Sequence, residues 1–486
     1  MRGGSQRPED SRGGPVRAAA GRAMIPRMPG RSSRAWELFA GWAATLADLG
    51  GTAALLGWDR ETLMPPAGAE GRARLLGTLA ALHHRELVRP DAGEALAELD
   101  SDGDLDEHAR AMVRLTARAR SRAERVPEDL VRELTEACSR CVGAWAEARE
   151  ADDFSAYAGP LKAVVALKRR QAEAIGIGDE PYDALLDEFE PESRAADLEP
   201  VFAELRERLA PLVAAAAGRP EARLPAREWP EEGQMALAHE IAAMVGFAGD
   251  AGVIARSAHP FTSSPHRGDV RFTTRLRADD PIGNITAVLH EAGHALYEQG
   301  FPGEHVRTPL YDAPSLGAHE SQSRFWENQV GRTPAFWRRL EPVMRRHMPA
   351  AMEGLDAALL HAAASTVRPS VIRVEADEVT YNLHIVLRFE LELALVRGDL
   401  DVDDLPGAFA DSMERLVGVR PARDADGAMQ DIHWADGLIG YFPTYTLGNL
   451  YAAQLAEAAD EALGGVEAAV EEGRFDDIPV SYTHLT

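Results

Sequence analysis

From Ser33 to about Arg122, apolar residues recur every three or four positions, the mark of helices that bury one face. The pattern breaks at Met64-Pro65-Pro66-Ala67-Gly68. It resumes from Pro127 to Ala174, with Leu130, Leu134, Cys138, Cys141 and Trp145 on one face. Residues 175–235 alternate helical stretches with proline-rich connections. Ser257–Arg277 differs: β-branched and aromatic residues between Pro and Gly predict a short hairpin or extended lip. Long helices then run to about Glu472. The expectation is a mainly α protein with a short β-hairpin or small sheet, and one helical domain over 33–479. Residues 1–32 read as a disordered or over-extended start, with initiation at Met24 or Met28. Residues 480–486 read as a non-native tail, the natural chain continuing beyond roughly Pro479.

Composition supports this reading and removes some functions. Hydrophobic residues make up 45% and charged residues 27% of the 486, the balance of a globular protein. The formal net charge of −26 repels a phosphate backbone, so nucleic acid is not expected as a partner. Two cysteines exclude a disulfide framework and fit a reducing compartment. Cys138-Ser-Arg-Cys141 lacks the second pair that four zinc ligands need. No run of about 18 apolar residues is evident, so no membrane span is expected. The first residues lack the apolar core of a secretory signal, which makes a cytoplasmic location the default.

Chemistry concentrates at His290-Glu291-Ala292-Gly293-His294. Positions i and i+4 of a helix lie one above the other, so two imidazoles there can hold one Zn²⁺. Glu291, one residue on from the first, can reach an activated water as general base. Asp280 or Asn284 can cap this helix, Pro281 suits its first turn and Gly300 its stop. Ile285, Val288, Leu289, Ala292 and Leu296 supply its buried stripe. A catalytic zinc takes a third protein ligand. Glu298, Glu304, His305, Asp312, His319 and Glu320 lie within reach in sequence; Glu320, on a second predicted helix, is preferred, with His319 as the alternative.

These residues, with His319-Glu320-Ser-Gln-Ser, resemble the carboxypeptidase Taq family of metallocarboxypeptidases. Other pieces are similar to that family in order: Gly57-Trp58-Asp59-Arg60, Pro181-Tyr182-Asp183, His259-Pro260-Phe261, Asp269-Val-Arg271-Phe-Thr273, Ile372-Arg373-Val-Glu-Ala-Asp377, Gln430-Asp431-Ile-His433-Trp434 and Gly440-Tyr441-Phe-Pro-Thr-Tyr445. The resemblance runs from about Trp36 to Glu472. It implies a helical, saddle-like subunit with a deep central groove, usually a homodimer, with one zinc per subunit and cobalt as the other metal to consider. It implies His290, His294 and Glu320 as ligands and Glu291 as base. It implies that Arg373 meets the substrate's C-terminal carboxylate, and that the elements containing His259 and Arg271 limit how far the substrate reaches. Arg60 departs from the family, where Gln is expected.

The expected activity is therefore hydrolysis of the C-terminal peptide bond of a peptide with a free carboxylate. Arginine suits that carboxylate because its planar fork makes two parallel bonds; the bland alternative for Arg373 is an ion pair with Asp377, one helical turn on. Asp377 or Glu378 could instead orient a ligating histidine. Tyr445 and His433 are candidate donors to the developing oxyanion, or structural hydrogen-bonders. His384 and Arg388 read as helix-face residues. The competing functions are a metallo-oligopeptidase or endopeptidase with no carboxylate clamp, and a peptide-binding helical protein without catalysis.

Overall fold

The structure, a computed structural model, describes residues 33–216 and 219–482. The readings of 1–32 and of 483–486 lie outside these residues. Helices dominate. The first group is α1 (Arg34–Thr62), α2 (Ala69–Leu87), α3 (Pro90–Asp100) and α4 (Glu107–Arg125). Ser33 caps α1, its hydroxyl accepting from the Trp36 amide at 3.1 Å. The proline pair at 65–66 ends α1 as expected. Trp36, Phe39 and Trp42 of α1 are buried against α3 and α4. By length and composition α1 is long and apolar enough to cross a membrane, which corrects the expectation that no stretch qualifies.

The second group is α5 (Glu128–Ala151), α6 (Phe154–Ile175), α7 (Pro181–Leu186) and α8 (Ala195–Ala216). Cys138 and Cys141 are both free thiols on α5. This group packs around α14 (Glu378–Arg397). α14 is buried on nearly every side, so its apolar residues show no single stripe. His384 and Arg388, read as helix-face residues, are on this helix and are buried with it.

The third group surrounds a small sheet. α9 (Glu231–Met244) precedes β1 (Gly252–Arg256), β2 (Thr262–His266) and β3 (Asp269–Thr274). The expected hairpin is β2–β3, antiparallel; β1 adds to it by pairing parallel with β3, in the order β1-β3-β2. α10 (Pro281–Gly300), α11 (Leu316–Arg324), α12 (Pro334–His347) and α13 (Ala357–Ala364) follow. A π-helical turn, Phe325–Val330, continues α11. α15 (Leu405–Leu416), α16 (Pro443–Leu463), α17 (Val466–Glu472) and α18 (Asp477–Tyr482) complete the described chain. α18 carries residues 480–482, so the helical path runs past the boundary expected at 479.

Candidate metal centre

α10 places His290, Glu291 and His294. Asp280 caps it, accepting from the Gly283 amide at 2.8 Å. Asn284 does not cap; it is buried and its Oδ1 accepts from the Thr274 hydroxyl at 2.7 Å. Glu320 comes from α11, which is pressed between α10 and α16. Two glycines permit that closeness. A Cβ at Gly293 would lie 2.6 Å from the Gln322 carbonyl oxygen, and one at Gly448 would lie 2.5 Å from Glu320 Cγ. The start of α11 is held by Ser315, whose hydroxyl accepts from the Ala318 amide, and by the Glu190 carboxylate, which accepts from the Gly317 amide.

The result is one cluster of three donor groups, His290, His294 and Glu320, with ligand atoms all within 4.8 Å of one another. Glu320 Oε2 lies 3.6 Å from His290 Nε2 and 3.4 Å from His294 Nε2. His319, the alternative third ligand, faces elsewhere. Its ring stacks on His294 at 4.3 Å between centroids and its Nε2 lies 2.9 Å from Glu298 Oε1.

A second layer fixes these groups. Glu327, in the π-helical turn, takes His290 Nδ1 at 2.8 Å. Arg324 joins the two carboxylates, donating from Nε to Glu320 Oε1 at 2.9 Å and from Nη1 to Glu327 Oε2 at 3.0 Å. The expectation that Asp377 or Glu378 orients a ligating histidine is therefore corrected. Asp377 caps α14, accepting from the Val379 and Thr380 amides, and Glu378 pairs with Arg332 at 3.4 Å.

The charges follow from this packing. Burial opposes the charged form of His290, but Glu320 and Glu327 outweigh it and hold the ring up at about 9. Burial, then the neighbouring His319, pushes His294 down to about 3. Burial also works against the Glu320 carboxylate, yet His290 and Arg324 hold it well below the usual range. Burial raises Glu291, while His290 and the Thr262 hydroxyl pull it back.

Arg373 lies in a single 3-10 turn, Arg373–Glu375, before α14, not on the helix expected to start there. It does not pair with Asp377. It is 5% exposed, and Nε and Nη2 both donate to Asp431 Oδ1, at 3.1 and 2.8 Å. Arg388 donates to the other oxygen, Asp431 Oδ2, at 2.7 Å. Two buried arginines thus share one carboxylate and leave a net positive charge. Tyr381 accepts from Arg373 Nη1 at 3.0 Å, and the Tyr445 ring lies 5.1 Å from its Cζ. His433 Nε2 is 3.3 Å from the Tyr445 hydroxyl. Burial, then Arg373, pushes His433 down to about 4, so the ring is neutral at pH 7.

Arg271 makes a two-point pair with Asp269, at 2.6 and 2.9 Å, and covers the Trp58 ring at 4.8 Å. His259 is exposed and borders a cavity with Trp58, Arg60, Glu61 and Thr262.

A profile of the carboxypeptidase Taq (M32) metallopeptidases matches residues 39–482. The chain belongs to that family. Thermostable carboxypeptidase 1 of Thermus thermophilus is 46% identical, over 89% of this chain and 87% of its own length. Carboxypeptidase 1 of Bacillus subtilis is 36% identical, over 87% of this chain and 86% of its own. The solved Pyrococcus furiosus carboxypeptidase superposes with a TM-score of 0.90 at 37% identity, covering 93% of this chain and 91% of that one. The M32 carboxypeptidase of Deinococcus radiodurans gives 0.87 at 38%, covering 91% and 89%. This family member is accordingly a metallocarboxypeptidase, a hydrolase of peptide bonds that works with a metal.

The residues of this carboxypeptidase fit a divalent cation. Two imidazoles and a carboxylate are the donor set of a catalytic zinc site. Ligand atoms about 2.0–2.1 Å from a tetrahedral metal stand roughly 3.3 Å from each other, close to the 3.4 and 3.6 Å found here. The residues not anticipated are Thr262, Arg324 and Glu327, with Asp431 as the partner of Arg373. Glu320, Arg324 and Glu327 lie at spacings of four and three, so one helical face in the sequence pointed to them. Thr262 directly follows His259-Pro260-Phe261, but nothing local links it to Glu291.

Proposed function

We propose that this carboxypeptidase removes the C-terminal residue of peptides at one zinc ion per subunit, held by His290, His294 and Glu320. Cobalt is a further metal compatible with these donors. The observation that carries the reading is the convergence of two α10 imidazoles and the α11 carboxylate within 3.6 Å, with Glu291 beside them on α10.

The metal, when bound, supplies a Lewis acid that makes water acidic and polarises the scissile carbonyl. Glu291 takes the proton of the attacking water and returns it to the leaving amine. Its burial raises its affinity for that proton, which suits a base that must also act as an acid. We assign the Tyr445 hydroxyl as donor to the developing oxyanion; the support is its contact with neutral His433, whose Nε2 lies 3.3 Å away. Arg373, with Arg388 behind Asp431, presents the positive charge that a terminal carboxylate balances. A peptide amide offers no such charge. The lip around His259 and Arg271 closes one end of the groove and limits the length of peptide that enters.

The test is an N-blocked dipeptide with a free C-terminus against the same dipeptide as its amide. Strong preference for the acid is expected. Equal turnover of the two would instead favour the endopeptidase alternative. We further place the enzyme in the cytoplasm as a homodimer. The exposed leucines Leu55 and Leu63 on or just after α1, and Leu75 and Leu82 on α2, support a covered apolar face there, and α2 buries no residue within the chain. A mass measurement by light scattering on the purified protein checks it.

A further inference from the structure

Thr262 opens β2, immediately after the His259-Pro260-Phe261 turn. Its place is set by pairing: Thr262 stands opposite Phe272 of β3, and the Thr273 amide donates to the Phe261 carbonyl at 2.9 Å. The Thr273 hydroxyl accepts from the Phe261 amide at 3.1 Å. On the outer side, the next residue, Ser263, donates to the Ala54 carbonyl of α1 at 3.3 Å. The start of β2 is therefore gripped between β3 and α1, and its threonine side chain is carried to α10.

There the Thr262 hydroxyl lies 2.6 Å from Glu291 Oε2 and 3.1 Å from the Glu291 carbonyl oxygen. An ionised carboxylate only accepts, so the hydroxyl donates. Glu291 is 5% exposed, and water has little room to replace that bond. A carboxylate that shuttles a proton needs one oxygen free for the water and its plane fixed in the right direction. A donor on the other oxygen provides both.

We propose that Thr262 is a positioning residue for proton transfer: its hydroxyl holds one oxygen of Glu291 so that the other is presented to the attacking water. The lip strand thereby sets the base as well as closing the groove. This rests on the reading of Glu291 as general base.

The test uses the full chain loaded with zinc and an N-blocked dipeptide. Thr262→Val keeps the shape and removes the donor. Misplacing a catalytic group by about 1 Å costs on the order of 100-fold, so kcat should fall by about 10- to 100-fold, with KM within about 3-fold. Zinc content should not change. Thr262→Ser should restore kcat to within about 3-fold of the parent, because the donor returns. In the double variant with Glu291→Gln, Thr262→Val should add no further loss, since groups acting as a unit are not additive. Thr262→Ala serves if the valine variant does not fold. A kcat within about 2-fold of the parent, a loss carried by KM, or no rescue by serine overturns the proposal. It is equally overturned if Thr262→Val slows Glu291→Gln by its full single-variant factor. If Glu291→Gln keeps the parent rate, the base assignment falls and this proposal with it. If Glu291→Gln is inactive and Thr262→Val is unimpaired, only the role of Thr262 falls.

Discussion

Glu327 holds His290 from behind: its Oε2 lies 2.8 Å from ring Nδ1, while Nε2 of the same ring faces Glu320. One bond thus settles which ring nitrogen is left for a metal. Arg324 ties Glu327 to Glu320, so one guanidinium holds both carboxylates in place.

Replacing Glu327 by Gln should weaken metal binding without unfolding the chain. Loss of such a partner typically costs about 10- to 100-fold in metal affinity or activity. Competition with a chelator measures it, and zinc affinity equal to the parent's would show that His290 does not need this support.

Zinc affinity should rise with pH. In the metal-free protein His290 is held up at about 9 by Glu320 and Glu327 against the effect of burial. A metal must displace that proton, so binding below about pH 9 releases it and gains strength as pH increases towards that value. Calorimetry in buffers of different ionisation enthalpy counts the protons released.

Glu291→Gln should bind zinc as the parent does and lose most of its turnover. General-base catalysis is worth ~10²–10⁴, and a variant within about tenfold of the parent would contradict the role of Glu291.

Asp431→Asn should destabilise the fold as well as the site. It would leave the buried Arg373 and Arg388 side chains facing each other without a counter-charge. Removing one member of a buried ion cluster costs about 3–5 kcal/mol. Urea unfolding reads the difference, and a change below about 1 kcal/mol would mean that solvent or relaxation compensates.

Glu392 offers a pH signature in stability. It lies on α14, accepts from the Tyr182 hydroxyl, the Trp434 indole and the Gly440 amide, and burial still pushes it up to about 7. Between about 4.5 and 7 the folded chain then holds a proton that the unfolded chain has lost, so stability falls as pH rises through that window. Glu392→Gln has no such proton. The stability of the parent relative to this variant should therefore decline from about pH 5 to about pH 7 and level off above it. Melting temperatures of both proteins across this range give the comparison, and parallel curves would refute it.

Local chemistry was legible from the residues alone. His290, Glu291 and His294 are within one helical turn, so their geometry follows from the helix itself. The break at Pro65-Pro66 is local in the same sense. The family resemblance rested on such short pieces in order, and it extended from His294 to Glu320 on the next α-helix.

Everything that depended on which distant segments meet was decided by the tertiary structure. Asp377 was the nearest acid to Arg373 on the expected helix face, yet Asp431, 58 positions away, pairs with it in the fold. Thr262 and Glu291 are 29 residues apart and meet only because β2 packs on α10. Periodicity could not reveal the surroundings of Arg388 or His384, because α14 is buried on nearly every side and shows no single stripe to mark its orientation. A helix sets what lies one turn away. Packing free energy, summed over the whole core, sets the rest.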